Sequence, residues 1–384
     1  MSDTESSSEP SILIISQRDR PDGFGRQPAY ISFLEAEETL AAATGADVVS
    51  IDASPGDRRV RARRLAGRQL RRLAHSGVAL PPTPSIRSAA PRIELPREHY
   101  DVGVFVGFTN WDLPLLERLP EVRHACAHLL AWLPEVWASD LDRRQARYEA
   151  FGLLDSLHVG MDAGARILSE MTPTPVHYVP LAVDTGRFSP SGPDQPRPID
   201  VLGIGRRDPE LHEHLLQWSR KASRLYIYDT MSGAIVPDQT EHRANLGDTY
   251  ARTNVALTSF AKSNMPEVTR GEREIPGRLW EALAAGAHMI GLPPDEGLQK
   301  RVVGETVVRD MPTDAAAAVE MIDELVTGDY QARRVASTQL ALRRHDWAHR
   351  WARIFNLAGI QVPRGIETRI ENLSARADSF DRSA

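Results

Sequence analysis

The feature that most constrains the fold is the stretch from Glu274 to Leu292, which reads E-I-P-G-R-L-W-E-A-L-A-A-G-A-H-M-I-G-L. Pro276-Gly277 interrupt the chain, the residues from Arg278 to Ala285 are mostly good helix formers, and Gly286 ends the helix. The apolar run that follows suits a buried strand. A loop, a short helix, a glycine turn and a buried strand indicate a doubly wound α/β sheet.

The start of this predicted helix is a candidate site for an anion. The backbone N–H groups and the positive end of the helix dipole favour a group such as a diphosphate. Glu281 lies about one turn into the helix, where its carboxylate can accept hydrogen bonds from two neighbouring ribose hydroxyls. The alternative is that Glu281 is an exposed helix residue and that Arg278, three positions earlier, is its solvated partner. Both interpretations are open from this stretch alone.

Two further segments extend the pattern. Residues 179–188, V-P-L-A-V-D-T-G-R-F, are similar to an "iPNGVDxxxF" motif, and residues 344–350, R-H-D-W-A-H-R, are similar to an "H-x-W-x-x-R" helix. Together with the E-A-L-A-A-G run, these segments resemble the GT-B-fold glycosyltransferases of group 1, the family 4-like set. The resemblance covers about residues 178 to 357.

The resemblance implies two facing doubly wound, Rossmann-like α/β domains with a cleft between them. The N-terminal domain is then expected to bind an acceptor, which is a small molecule, a glycan or a lipid-linked compound. The C-terminal domain is expected to bind a nucleotide-diphospho-sugar donor. The implied enzyme is a hexosyltransferase-like protein that needs no metal and no bound cofactor, because the nucleotide-sugar is a substrate, and that retains the sugar configuration.

The resemblance also indicates which residues bind the donor. In the family, a Gly-Arg pair at the end of a strand, followed by a Lys, holds the diphosphate. Gly205 and Arg206 match the pair, but no Lys follows before Lys221. Arg207 is the candidate replacement, since a guanidinium group suits phosphate. The alternative is that these arginines are a solvent-exposed pair. The complete predicted donor site consists of Gly205, Arg206, Arg207, Gly277, Arg278 and Glu281.

Three residues are candidates for catalysis. Group 1 enzymes carry an acidic residue eight positions before the helix Glu, and Arg273 holds that position here, so the adjacent Glu274 is the candidate carboxylate. A sub-group that resembles spore-maturation glycosyltransferases has an Arg three residues before the helix Glu. Arg278 occupies that position relative to Glu281, so the sequence is similar to this sub-group. His124 and His128 are candidates because many GT-B enzymes have a cleft histidine near the acceptor. The alternative is a core histidine whose hydrogen bonds are made within the protein.

The N-terminal half contains a second loop of interest. Ile12 to Ser16 is predicted to be a buried strand, and Gly23, Phe24 and Gly25 follow it in a polar loop. Two glycines do not make a dinucleotide-binding fingerprint. In the resembled family this loop faces the cleft, so these three residues are expected on the acceptor side.

A chain of 384 residues is too long for one ordinary core and predicts two α/β domains. Four prolines and one glycine between residues 189 and 198 indicate a linker. The predicted organisation is a disordered tail (1–10), an N-terminal domain (11–188), the linker (189–198), a C-terminal domain (199–345), and a helix that crosses back with a tail (346–384).

Composition limits the partners and the location. A net charge of −6 gives no indication of nucleic-acid binding. Cys126 is the single cysteine, which excludes a disulfide framework and indicates a reducing, cytoplasmic location. Residues 58–75 are densely basic. They are interpreted as a solvated helix with one buried edge, as a peripheral contact with an anionic membrane surface, or as a contact with an acidic acceptor.

Two other functions stay open. One is a GT-B-fold sugar-nucleotide epimerase. The other is a catalytically degenerate relative that serves as a partner or binding subunit, which the missing Lys and the displaced acidic residue favour. A pyridoxal phosphorylase is disfavoured, because it needs a Schiff-base Lys and the C-terminal half has few lysines.

Overall fold

The computed structural model describes residues 9–18, 27–51, 93–141, 149–230 and 236–381. Two sequence predictions lie outside these residues. One is the placement of Gly23, Phe24 and Gly25 on the acceptor side, and the other is the role of the basic stretch 58–75. Among the described residues, no helix combines the length and the apolar character that crossing a membrane requires.

The N-terminal domain is built on a six-stranded parallel sheet with the order β2-β1-β3-β4-β5-β6. Its central strands are buried on both faces, which is why they appear in the sequence as nearly continuous apolar runs. The strands are β1 (Ile12–Ser16), β2 (Asp47–Ser50), β3 (Tyr100–Val106), β4 (Cys126–Leu133), β5 (Ser156–Val159) and β6 (Val176–Tyr178). The α-helices are α1 (Pro28–Thr44), α2 (Pro120–Ala125), α3 (Asp162–Met171) and α4 (Thr185–Phe188), and shorter 3-10 helices span Asn110–Arg118, Ala138–Asp140 and Glu149–Leu153.

The C-terminal domain repeats this plan around a five-stranded parallel sheet with the order β11-β10-β9-β7-β8. Its strands are β7 (Ile199–Gly203), β8 (Tyr226–Tyr228), β9 (Thr253–Leu257), β10 (His288–Gly291) and β11 (Val308–Asp310). Its helices are α5 (Pro209–Ala222), α6 (Gln239–Ala251), α7 (Pro266–Thr269), α8 (Gly277–Ala284), α9 (Glu296–Val302), α10 (Ala315–Thr327) and α11 (Gln331–Arg344).

Two C-terminal helices, α12 (Trp347–Leu357) and α13 (Arg364–Ser379), return to the N-terminal domain. The Trp351 indole N–H donates to the Ala36 carbonyl of α1 at 2.8 Å, and the Trp351 ring packs against Trp132 of β4. The largest cluster of buried apolar side chains therefore draws residues from both domains. The two domains are joined by a continuous apolar contact.

The two outer segments that carried the family resemblance contact each other. Arg350 of α12 donates from Nε to the Pro180 carbonyl at 3.0 Å and from Nη2 to the Leu181 carbonyl at 3.2 Å. A β-bridge joins Val183 to Asp346 close by. Arg350 is 8% exposed, so it holds the connection between the domains from a buried position.

β4 begins only at Cys126, because Pro120 starts a short helix that ends at Ala125. The C-terminal tail contains the regular 16-residue helix α13, whose Ile366, Leu373 and Ala377 are buried. These apolar residues recur at helical spacing, and packing against α11 and α12 stabilises the helix.

Candidate functional site

The carboxyl ends of the two sheets face each other across a cleft. Lys262, in the loop after β9, forms an ion pair with Glu135, which follows β4. Glu274 accepts a hydrogen bond from the backbone N–H of Ala163, just after β5, at 3.0 Å. Ligands of open parallel α/β sheets bind at this edge. The candidate site is therefore the space between the domains.

Gly205 and Arg278 are brought into direct contact at this edge. Gly205 follows β7 with a φ of +88°, and a Cβ built on it would lie 2.2 Å from both terminal nitrogens of the Arg278 guanidinium. Its N–H donates to Asp229 Oδ2 at 2.9 Å. Only glycine adopts this backbone conformation readily and leaves room for the guanidinium. The turn after β7 and the first turn of α8 thus form one surface.

Arg206 belongs to the same surface. Desolvation lowers the pKa of Arg206, and the positive charge of Arg278 lowers this pKa further, while Glu135 and Tyr30 of the N-terminal domain raise it. Arg206 therefore lies close to Arg278 and faces the other domain. Within the described part of the chain, no carboxylate forms an ion pair with either arginine. Arg206 and Arg207 are exposed, as the alternative interpretation expected, and Arg278 is partly buried. Two neighbouring guanidinium groups without an ion pair favour an anion at this surface.

The N-terminus of α8 adds hydrogen-bond donors to this surface. Pro276 precedes the helix, and no side chain caps its first turn. A Cβ built on Gly277 would meet only Ser32 Oγ of α1, at 4.0 Å, so this helix end also faces the N-terminal domain. Free backbone N–H groups at such an end suit a phosphate group.

Glu281 is buried, at 5% exposure, so the interpretation as a solvated partner of Arg278 is wrong. Its Oε1 accepts from Arg243 Nη1 at 2.5 Å, and Arg243 also binds Glu35 of α1 through Nε at 3.1 Å and Nη2 at 3.2 Å. Burial alone would lower the pKa of Arg243, but the two carboxylates outweigh it and raise this pKa. The network ties α8 to α6 and α1.

Glu274 is a buried carboxylate at the domain boundary, at 4% exposure. The pKa of Glu274 is raised to about 7, mainly by burial and in addition by the charges of Asp162 and Glu272. Hydrogen bonds from the N–H groups of Ala163 and Asp162 at the start of α3 act in the opposite direction. Glu274 therefore combines a position at the cleft edge with a protonation change near neutral pH, as a catalytic acid or base requires.

This pKa gives a testable dependence of stability on pH. A carboxyl whose pKa is raised on folding binds its proton more tightly in the folded protein, so its stabilising contribution is present at acid pH. That contribution is lost as the pH rises through 7. We expect Glu274→Gln to remove part of the fall in melting temperature between about pH 5 and about pH 8, equivalent to roughly 2–3 kcal/mol at most. Thermal unfolding at a series of pH values measures this difference between the variant and the wild type.

The matched control for this experiment is Glu296→Gln, which removes an exposed carboxylate paired with Lys300. Its melting curve should follow the wild-type pH dependence. Glu37, a buried carboxyl whose pKa burial also raises to about 7, contributes in the same direction and remains in both variants. Identical pH profiles for Glu274→Gln and the wild type would contradict the assignment.

The structure does not bring His124 and His128 to this site. His124 lies near the end of α2 and His128 near the start of β4, where it is in register with Val102. Both side chains are exposed. They occupy the amino end of the sheet, whereas Glu135 follows the carboxyl end of the same strand. The six intervening residues from Leu129 to Pro134 are all buried and separate the histidines from the cleft, so their predicted catalytic role loses its geometric basis.

Sequence reasoning missed Lys262. Its ammonium group pairs with Glu135 and lies 4.9 Å from the centre of the Trp137 ring, both in the N-terminal domain. The motif places a lysine only among the residues that follow Gly205-Arg206, whereas Lys262 follows the end of another strand, β9. Arg207, the predicted replacement, lies over the Tyr228 ring of β8 at 5.1 Å, and its contact with phosphate stays a prediction.

No group of three or more His, Cys, Asp or Glu side chains in the described residues is arranged to hold a metal ion. Cys126 is buried beside Gly103, and burial raises the pKa of its thiol to about 11. Its environment is that of a packing residue.

Two facing doubly wound domains whose carboxyl edges enclose a cleft form the GT-B architecture, so the predicted fold class is confirmed. No protein-family model matches the sequence, and no curated protein matches it significantly. Several solved structures are similar in shape. AviGT4, a glycosyltransferase involved in avilamycin A biosynthesis, is 13% identical with a TM-score of 0.45, over 95% of this chain and 98% of that chain.

Two further solved structures are similar. An α,α-trehalose-phosphate synthase (UDP-forming) from Burkholderia vietnamiensis is 12% identical with a TM-score of 0.45, over 98% of this chain and 99% of that chain. The glycosylation-associated Gap123 complex from Streptococcus agalactiae is 12% identical with a TM-score of 0.37. That match covers 72% of this chain, which spans 55% of the length of the matched chain. At these identities and TM-scores, the similarities carry no information on substrate or reaction.

Proposed function

We propose that the protein is a glycosyltransferase that moves a sugar from a nucleotide-diphospho-sugar donor to an acceptor. The observation that carries this proposal is the convergence of Gly205, Arg206 and Arg278 on one surface between the domains. Two guanidinium groups and the free N-terminus of α8 match the charge and size of a diphosphate.

The same groups supply the chemistry of the transfer. Bond cleavage leaves negative charge on the departing nucleoside diphosphate, and prearranged positive groups at that point stabilise the transition state. Arg206, Arg278 and the N–H groups at the start of α8 take this role in our proposal, without a metal ion. Lys262, which pairs with Glu135 across the cleft, is a further basic side chain at this edge of the C-terminal domain. Closure of the two domains keeps water from the reacting sugar.

Glu274 is the candidate for contact with the transferred sugar or for proton transfer during the reaction. Its carboxyl lies at the boundary between the domains and changes protonation near pH 7. The acceptor enters from the N-terminal domain, whose Glu135 and Trp137 face the cleft. Retention of the sugar configuration, as in the resembled family, is part of the proposal.

A donor panel tests the proposal. Thermal unfolding with uridine, guanosine, adenosine and thymidine diphosphates first identifies the base, because a ligand of the native state raises the melting temperature. The corresponding nucleotide-sugars are then incubated with the protein, and a transferase should release free nucleotide slowly without an acceptor. Absence of both stabilisation and turnover with every donor would contradict a transferase.

A second candidate is a binding subunit that holds a nucleotide without turnover. The engagement of Glu281 in the buried pair with Arg243 favours it, because one oxygen of this carboxylate is committed inside the protein. The displaced acidic position at Arg273 favours it as well. Stabilisation by a nucleoside diphosphate without nucleotide release from any sugar donor is the result that distinguishes this candidate from an enzyme.

A further inference from the structure

A cavity of about 240 Å³ lies in the C-terminal domain, away from the cleft. It is bounded by the start of β10, at His288, and by residues of α11. It therefore opens at the amino end of β10, whereas the candidate donor site lies at the carboxyl ends of β7 and β9. Its lining carries His288, Arg309, Arg333 and Arg334, together with a single acidic side chain among the lining residues, Glu305.

The positive groups of this cavity lack the partners that other arginines in the protein have. Arg334 Nε and His288 Nε2 are buried and have no hydrogen-bond partner. The described residues offer no ion pair to Arg333 or Arg334, and Arg309 reaches Glu324 only at 3.9 Å. By contrast, Arg243 binds two carboxylates. Buried polar groups without a partner in the protein are rare in folded proteins, so Arg334 Nε and His288 Nε2 are open to hydrogen bonds with a ligand.

The electrostatic surroundings of His288 agree with this arrangement. Burial and, after it, the positive charges of Arg334, Arg333, Arg197 and Arg309 together lower the pKa of His288 to about 4. Desolvation also lowers the pKa of Arg334, opposed only by the charge of Asp329. Arg197 donates to the carbonyls of Thr253 and Ala285 and adds its positive charge to the surroundings of His288. Glu305 is exposed, and solvent screens its charge.

We propose that this cavity is a second binding site, for a small anion that bears a phosphate group. The fork of a guanidinium group matches two phosphate oxygens, and His288 offers an unused ring nitrogen beside it. The volume is below the roughly 300–1,000 Å³ of sites for drug-sized ligands. Inorganic phosphate, pyrophosphate or a small phosphate monoester therefore suits the cavity better than a whole nucleotide-sugar.

Histidine ring signals in nuclear magnetic resonance test this site directly, because His288 lies in the cavity and not in the cleft. The full-length protein is labelled at its histidines, and the His288 signal is assigned with His288→Gln. Titration with inorganic phosphate should move this signal to saturation, whereas sodium chloride at the same ionic strength should not. A His288 signal that phosphate leaves in place would overturn the proposal.

Two double variants distinguish phosphate binding in the cavity from attraction by the net charge of the protein. Arg309→Gln with Arg333→Gln removes two exposed cavity arginines and should weaken the phosphate response of His288 at least about 10-fold. Arg220→Gln with Arg364→Gln removes the same charge from exposed positions outside the cavity and should leave the response unchanged. Equal weakening in both variants would show that net charge, and not the cavity, attracts the anion.

Discussion

Arg243→Leu is expected to destabilise the folded protein by about 3–5 kcal/mol, because it leaves Glu35 and Glu281 buried without their shared cation. We expect the melting temperature to fall by roughly 10 °C. Glu35 keeps its ion pair with Arg187 at 3.4 Å, so the loss falls mainly on Glu281. Thermal unfolding measures the effect.

Arg252→Ala is the matched control for this prediction. Arg252 follows α6, the helix that carries Arg243, and its ion pair with Asp248 is exposed on both sides. Exposed pairs of this kind contribute about 0.2–1 kcal/mol, so the control should melt close to the wild type. Similar melting temperatures for the two variants would mean that the buried network does not hold the domains as the geometry indicates.

Arg278→Gln is expected to weaken the binding of the nucleoside diphosphate that stabilises the protein by about 10- to 100-fold. The physical reason is the loss of a charge-assisted contact worth about 1.5–3 kcal/mol. Arg278 is only partly buried and has no ion pair among the described residues, so the fold should survive the change. Calorimetric titration gives the affinity, and the melting temperature without ligand reports on the fold.

Two further variants sharpen this test. Gly205→Ala places a methyl group where the Arg278 guanidinium lies, and should lower the affinity although it removes no charge. Arg220→Gln removes an exposed positive charge from the same domain and should leave the affinity unchanged. An affinity that survives both Arg278→Gln and Gly205→Ala would place the nucleotide elsewhere and remove the basis of the proposed function.

The helices and strands that build the cleft could be predicted from the sequence, because short local patterns of residues specify them. Glycines at strand ends, helix formers after Pro276-Gly277 and apolar runs of strand length specify α8, β10 and the restart of the α/β pattern at Ile199. The meeting of Gly205 and Arg278 was foreseeable as well, since carboxyl ends of parallel strands share one edge. Their contact with a donor stays a prediction.

The partners of individual charges were decided only by the tertiary structure. Arg243 meets Glu35 across 208 positions of sequence, and Lys262 meets Glu135 across the domain boundary. No periodicity or motif encodes such pairs, because they depend on how two separately folded sheets face each other. His124 and His128 lie at the amino end of their sheet because β4 begins at Cys126. A strand pattern predicts which residues are buried, but the packing of the two sheets decides which side chains meet across the cleft.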